Sequence, residues 1–482
     1  MTIRRLGLVL GPLVFALTAF TTPPAGMSAE GWLVAGLVVW MAAWWMTEAV
    51  PLSATALLPF VSLPLGGVMG ARDTASAYYA PILFLLLGGA FIALAIERTG
   101  LHRRLSLAIL KVIGSEGGQV RLLLAFMVSA AILSMLISNT STSLIMMPMA
   151  LAVLAGGGAV STNADGSVST SGLSGALPMG IAFAASIGGL GTIIGSPTNG
   201  IAVQLLDDMI GLEISFATWM LFGLPIVIVA IPLAAAIIAW VQSVNAHPFD
   251  VGAARNAIEE DKVWSSAEKR LVPIIAIAFA LWMTRRWVAP YLPADSWTDG
   301  TIAVIAALAL FILPDGTVEN GKSRPLLKWS EADRAPWGVI LMFGGGLALA
   351  AGMQASGLAG WLGEALLPLE ALPLIIIALA VVAMVVLVTE FASNVATASA
   401  IIPVVAALAA GLGLGEGALL IALPAAMAAS WGFILPAGTG PNAIAWATGR
   451  LTIPKLLRAG LILDLVGIFL IVGMVWGISL LV

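Results

Sequence analysis

The sequence contains no cysteine, only two histidines and three tyrosines, and its Asp, Glu, Lys and Arg together make up 10% of 482 residues. Without cysteine, disulfides, thiolate metal sites and cysteine nucleophiles are excluded. His102 and His247 both lie in charged loop sequence, which argues against a histidine-based catalytic site or metal cluster. The scarcity of charge accompanies 60% hydrophobic residues and a mean hydropathy of +1.06. That is the composition of a polytopic membrane protein, not of a soluble enzyme. The net charge of −4 says little, because the placement of charge matters more here than its sum.

Eleven apolar stretches are long enough to cross a membrane: roughly 6–22, 31–47, 51–67, 80–97, 176–205, 216–241, 272–288, 300–313, 337–355, 417–447 and 460–481. Several are short for a straight span of about 20 residues, so tilts or breaks are expected. Two further stretches, 121–155 and 372–411, are interrupted by polar clusters. The first cluster runs from Ser134 through Ser138, Asn139 and Thr140 to Thr142 and Pro148. The second runs from Thr389 through Ser393, Asn394 and Val395 to Thr397 and Pro403, every pair being offset by 255 positions. Polar side chains at membrane depth are costly unless they pair, line a cavity or bind something. Two matched clusters point to a site at the interface of an internal repeat.

The charges give a topology. With Arg4 and Arg5 in the cytoplasm, each span crossing once and both interrupted stretches returning as re-entrant hairpins, 18 of the 21 basic residues fall on the cytoplasmic side. Only Arg72, Arg285 and Arg286 fall outside, as the positive-inside rule requires. Reading the clusters as ordinary crossings would destroy that agreement. A signal peptide at the N-terminus lacks a convincing small-residue cleavage site before Pro23-Pro24, so this segment is taken as the first span. The glycine pairs Gly88-Gly89 and Gly345-Gly346 precede similar amphipathic segments beginning at Gly100 and Gly357, the first basic and the second carrying Glu364 and Glu370. The expected fold is therefore an all-α polytopic membrane protein of about 11 transmembrane helices plus two re-entrant hairpins in an inverted-topology repeat, with the C-terminus outside.

Each hairpin is followed by another interrupted span. The breaks are Gly191–Asn199 (Gly-Thr-Ile-Ile-Gly-Ser-Pro-Thr-Asn) and Pro436–Asn442 (Pro-Ala-Gly-Thr-Gly-Pro-Asn), offset by 243, the longer 156–175 loop accounting for the difference. Gly and Pro free backbone carbonyls there, and these must face protein, water or an ion. Carbonyls with Ser, Thr and Asn oxygens suit a hard monovalent cation without choosing between ions; a kinked packing helix is the plainer alternative. The helices starting at Thr140 and Val395 aim their N-termini at the clusters, which favours an anion. No Lys or Arg lies near, so an anion held there would need bound cations as counter-charge.

At Ser138-Asn139-Thr140, Thr389–Asn394, the Gly-Leu-His-Arg-Arg segment at 100–104 and the Pro-Asn breaks at 197–199 and 441–442, the sequence resembles the divalent anion/sodium symporter family, over nearly its whole length. The resemblance implies a homodimer in the inner membrane, working by an elevator motion and taking up a divalent anion, most readily a C4 dicarboxylate, with sodium. It implies a scaffold of 1–117 and 244–371 and a transport domain of 118–243 and 372–482. It assigns one sodium to Ser134, Ser138, Asn139 and a carbonyl near Gly195, and a second to Thr389, Ala392, Asn394 and a carbonyl near Gly438. Substrate would contact Asn139, Thr140, Ser393 and Asn394, with Val395 and Gly440 alongside. No nucleic acid partner is implied.

Two positions depart from the family: Val395 stands where a second Thr is usual, and Gly440 where Pro is common. They leave sulfate or another small anion, and proton-coupled or exchange variants, as alternatives. An intramembrane hydrolase would need a serine with a base, paired aspartates or a metal site; Glu390 is the only carboxylate within either cluster, its counterpart being Met135.

Overall fold

The computed structural model describes residues 3–114, 117–158, 169–256, 263–319, 321–436 and 438–481. Residues 159–168 of the polar loop expected at 156–175, and Ala437 of the second break, lie outside the described residues. The chain is an all-α polytopic membrane protein, with ten helices among the described residues long and apolar enough to cross a membrane. The stretches expected at 216–241 and 337–355 are helices with those bounds, Phe216–Val241 and Trp337–Ala355. That expected at 51–67 is instead two short helices, Leu52–Thr55 and Leu58–Leu65, in sequence punctuated by Pro51, Pro59 and Pro64. The last helix starts earlier than expected, at Ile453, and runs to Ser479. A β-hairpin, Pro314–Glu319 with Lys322–Pro325, lies between spans where the sequence predicts no element. Arg98 and Arg324 tie it down through the buried Asp315 carboxylate.

Both interrupted stretches are pairs of helices meeting at the polar clusters. Gln119–Ser134 and Asn139–Gly156 form the first pair, Leu374–Phe391 and Asn394–Gly411 the second. Ser138 and Ser393 explain why the second helix of each pair starts where it does. Both have extended backbone, and their hydroxyls accept from the N–H of Ser141 at 3.1 Å and Ala396 at 3.2 Å.

The following spans are broken as expected. Leu173–Gly188 gives way to two 3₁₀ turns and then Pro197–Ile210; Leu419–Ala428 gives way to irregular chain and then Gly440–Ala447. Pro197 and Pro441 lie in the first turn of the restarted helices, where a missing N–H costs nothing. The halves interlock crosswise. Helix Pro197–Ile210 packs on Asn394–Gly411 of the second half, and Gly440–Ala447 packs on Asn139–Gly156 of the first.

The glycine pairs face two ways. A Cβ on Gly88 would meet Ala303 at 2.7 Å, and Gly345 abuts Ala56, so these members bind helices to one another within the expected scaffold. Gly89 instead faces Ile194 of the first break at 2.9 Å, and Gly346 faces Ser399 of the second hairpin at 3.0 Å. The same sequence signal thus makes one close contact inward and one across to the segments that carry the clusters.

Candidate functional site

Each polar cluster gathers oxygens around one asparagine. In the first, Ser134 Oγ lies 2.6 Å from the Ala185 carbonyl and 2.7 Å from Asn139 Oδ1. In the second, Thr389 Oγ1 lies 2.7 Å from the Ala429 carbonyl and 3.0 Å from Asn394 Oδ1. A hydroxyl has one proton and here faces two acceptors. The Asn139 amide adds to the imbalance: its oxygen also lies 3.1 Å from the Gly195 carbonyl and 3.2 Å from that of Ala185. Turning the amide over would let its nitrogen donate to all three neighbours; a cation among the four oxygens would relieve the same repulsion. Such an oxygen-only shell suits a hard cation. Gly189 makes the arrangement sterically feasible, since a Cβ there would overlap Asn139 Oδ1.

The structure therefore brings together Ser134, Asn139 and Gly195, and separately Thr389 and Asn394. Ser138 and Ser393, for which the resemblance implies different roles, serve alike as helix caps. Ala392 is buried at the end of helix Leu374–Phe391. Gly438 directs its N–H to the Leu435 carbonyl at 3.2 Å. Among the described residues no hydrogen bond joins it to Asn394, unlike the approach of Gly195 to Asn139. The carbonyls of Ala185 and Ala429 were not anticipated from the sequence.

The breaks are held open by their asparagines. Asn199 Nδ2 donates to the carbonyls of Gly189 at 2.7 Å and Thr192 at 2.9 Å, and Asn442 Nδ2 donates to that of Leu435 at 3.1 Å. The Oδ1 of both asparagines is buried with no donor among the described residues, as are the hydroxyls of Thr142 and Thr397 and of Ser186 and Ser430. These orphaned oxygens thus include three repeat-related pairs. Buried polar atoms are ordinarily satisfied, and repetition in both halves marks a shared requirement of the site.

Between the clusters, Ser138, Thr140 and Gly440 are exposed and Asn139, Ser393, Asn394 and Val395 half-buried. Thr140 of the first half meets Gly440 of the second: a Cβ on Gly440 would overlap Thr140 Oγ1. A cavity beside the first cluster is lined by Ser138, Ser141, Pro197, Glu97 and Arg334. Arg334, far off in sequence, lines this cavity together with Glu97.

Glu390 accepts backbone N–H bonds from Ile434 at 3.0 Å and Leu435 at 3.1 Å, at the start of the second break. It also faces Asp464, buried in the last helix. The sequence offered a signal for Asp464, an ionisable group within a long apolar helix, but none for its proximity to a residue 74 positions earlier.

The family described as sodium:sulfate symporter transmembrane region matches residues 4–482. The chain is 38% identical over 477 residues to a sodium-dependent dicarboxylate transporter of Staphylococcus saprophyticus, covering 98% of this chain and 91% of that protein. It is 37% identical over the same length to the transporter of that name in Staphylococcus aureus, again covering 98% and 91%. In fold it is similar to the YdaH transporter of Alcanivorax borkumensis, with a TM-score of 0.54, 15% identity, and coverage of 100% of this chain and 98% of that one. With paired oxygen clusters at two helix junctions and a match spanning the sequence, the chain belongs to the divalent anion/sodium symporter family, and it is a membrane transporter and not an enzyme.

Proposed function

We propose that this protein is a secondary active transporter that carries a divalent anion, a C4 dicarboxylate first among candidates, into the cell together with sodium. The observation that carries the reading is the matched pair of oxygen-rich clusters, Ser134–Asn139–Ala185 and Thr389–Asn394–Ala429, each gathering a hydroxyl, an asparagine amide and a main-chain carbonyl at the junction of two helices. Each would hold a cation, completed by Gly195 in the first cluster and by the Ala392 and Gly438 carbonyls in the second. The anion would lie between them against Asn139, Thr140, Ser393 and Asn394, beside Val395 and Gly440. It would be held by the N-termini of helices Asn139–Gly156 and Asn394–Gly411 and by the charge of the two cations. Without a fixed positive side chain among these residues, cation and anion binding become mutually dependent. The dicarboxylate transporters to which the chain is similar support the choice of substrate and of sodium.

Movement would carry residues 118–243 and 372–482 as one transport domain past a scaffold of 1–117 and 244–371, in a homodimer. The two helix pairs would be re-entrant hairpins of an inverted repeat, with the N-terminus cytoplasmic and the C-terminus outside. A smaller anion such as sulfate is a second reading, favoured by Val395, whose side chain packs among apolar residues and gives the site no hydroxyl. The test is uptake of labelled succinate and sulfate by purified protein in proteoliposomes under imposed sodium or proton gradients. Sodium-driven succinate uptake is expected. Uptake unchanged on replacing sodium by choline across a range of pH would reject the proposal.

A further inference from the structure

Four basic side chains of the expected scaffold meet carboxylates: Arg98 and Arg324 at Asp315, Arg104 at Glu268 and Lys328 at Glu319. Three in the second half of the expected transport domain do not. Arg450, Lys455 and Arg458 make no ion pair among the described residues. Arg450 is buried, and its guanidinium donates to Ser174 Oγ at 2.6 Å. Lys455 Nζ donates to Ser171 Oγ at 2.7 Å and to the Thr170 carbonyl at 3.2 Å. Both cations thus land on one short neutral segment, 170–174. Arg458, about one turn on from Lys455, lies over the Trp240 ring at 4.2 Å. A buried charge ordinarily has a counter-charge, and like charges gathered without one repel each other.

Further along the helix the surface turns apolar. Arg458, Leu461, Leu465 and Phe469 follow at i, i+3, i+7 and i+11, and so share one face of helix Ile453–Ser479. The three apolar side chains are exposed, as is Trp240 near the end of the helix Phe216–Val241 packed alongside. Indole rings favour the depth at which lipid headgroups meet acyl chains. A cation stacked on a tryptophan at one end of an apolar face matches an amphiphile with a negative head.

The repeat-related connection has the opposite sign. From Pro197 to Val241 there is no Lys or Arg, and the chain before the long helix carries Asp207, Asp208 and Glu213. From Gly440 to Leu463 there is no Asp or Glu, and the chain carries Arg450, Lys455 and Arg458. In the expected topology the acidic connection lies at the outer face and the basic one at the cytoplasmic face. The preference of basic residues for the cytoplasm accounts for the sign. It does not account for the missing counter-charges, since the scaffold cations expected on the same side have theirs.

We propose that Arg450, Lys455, Arg458 and Trp240 form a binding site for an anionic phospholipid of the inner leaflet, its phosphate among the three cations and its acyl chains along Leu461, Leu465 and Phe469. The lipid supplies the counter-charge that the chain itself does not. Because the site belongs to the expected transport domain, a bound lipid would tie the part that moves, not its track, to the inner leaflet.

The test measures thermal unfolding of the purified full-length protein in mixed micelles at constant ionic strength, titrated with lipid. Dioleoylphosphatidylglycerol should raise the melting temperature, and dioleoylphosphatidylcholine, with the same chains and no net charge, should not. Equal stabilisation by both overturns the proposal, because the apolar face would then suffice, and so does no stabilisation by the phosphatidylglycerol. Lys455→Gln should raise the half-saturating mole fraction of that lipid roughly fivefold, and Lys455→Gln with Arg458→Gln roughly twenty-five-fold. Lys328→Gln removes the same charge from a paired scaffold position and should move it by less than about twofold. An equal shift in Lys328→Gln overturns the assignment, since the attraction would then be diffuse. An unmoved value in Lys455→Gln overturns it as well, a comparison that stands even if the double variant does not fold. Inorganic phosphate should leave the melting temperature unchanged. If phosphate stabilises wild-type protein and not Lys455→Gln, the ligand is a free anion and the lipid assignment falls.

Discussion

Gly440 and Thr140 come from opposite halves of the chain and touch, with no room between them for a Cβ on the glycine. Gly440→Ala should therefore displace the Thr140 hydroxyl and raise the substrate KM roughly tenfold, overpacking of this kind costing on the order of 1–3 kcal/mol. Adding Thr140→Ala should cost less in Gly440→Ala than in wild type, because the clash is then already relieved. Uptake kinetics of the four proteins form the check; strictly additive effects would mean that the contact does not shape the site.

Asn139 and Asn394 each stand at the centre of an oxygen shell. Asn139→Ala and Asn394→Ala should each abolish sodium-dependent uptake while leaving the protein folded, since the Ala185 and Ala429 carbonyls keep their hydroxyl donors Ser134 and Thr389. Uptake assays paired with size-exclusion chromatography would measure both. Sodium-driven uptake surviving in either variant would remove that asparagine from the cation shell.

Val395→Thr adds a hydroxyl at nearly equal volume. A hydrogen bond to a charged group is worth roughly 1.5–3 kcal/mol, about tenfold to a hundredfold in affinity. If a dicarboxylate reaches this position, its affinity should rise accordingly in competition uptake assays. If the native anion is smaller, the new hydroxyl displaces apolar contacts of Val395 and transport of that anion should weaken. No change for any anion tested would show that residue 395 does not line the site.

Topology can be read by cysteine labelling against a background free of native cysteine. Ser106 belongs to the first amphipathic helix but is buried, its hydroxyl donating to the His102 carbonyl at 2.9 Å, so it is a poor probe position. Ala108 on the same helix is exposed, and Gly360 on helix Leu358–Leu366 has open space around it. Ala108→Cys should react with an impermeant maleimide only from inside and Gly360→Cys only from outside. Labelling of both from one side would reject the inverted repeat.

The clusters were legible in the sequence because Ser, Asn and Thr stand out in apolar surroundings and recur at a fixed offset. The breaks were legible because Gly and Pro interrupt helices by their own backbone chemistry. The carbonyls of Ala185 and Ala429 were not, since a main-chain oxygen leaves no mark on residue identity. The partnership of Glu390 with Asp464 was hidden for another reason. It depends on the register between two helices distant in sequence, which only their packing sets. Ser138 and Ser393 show a shared feature that the resemblance did not carry: whatever their separate roles, each caps the helix that follows.

Gly89 and Gly346 bear on how fast such a protein can cycle. At both places the expected scaffold presents bare backbone to the segment that would slide past it. A glycine has no rotamer to reset and no methyl group to lift over its neighbour, so at these two places the friction of the proposed stroke would fall on Ile194 and Ser399. Under the proposed motion, turnover would be tuned at these two places by the side chains on the travelling surface, while the track itself would stay smooth in either direction.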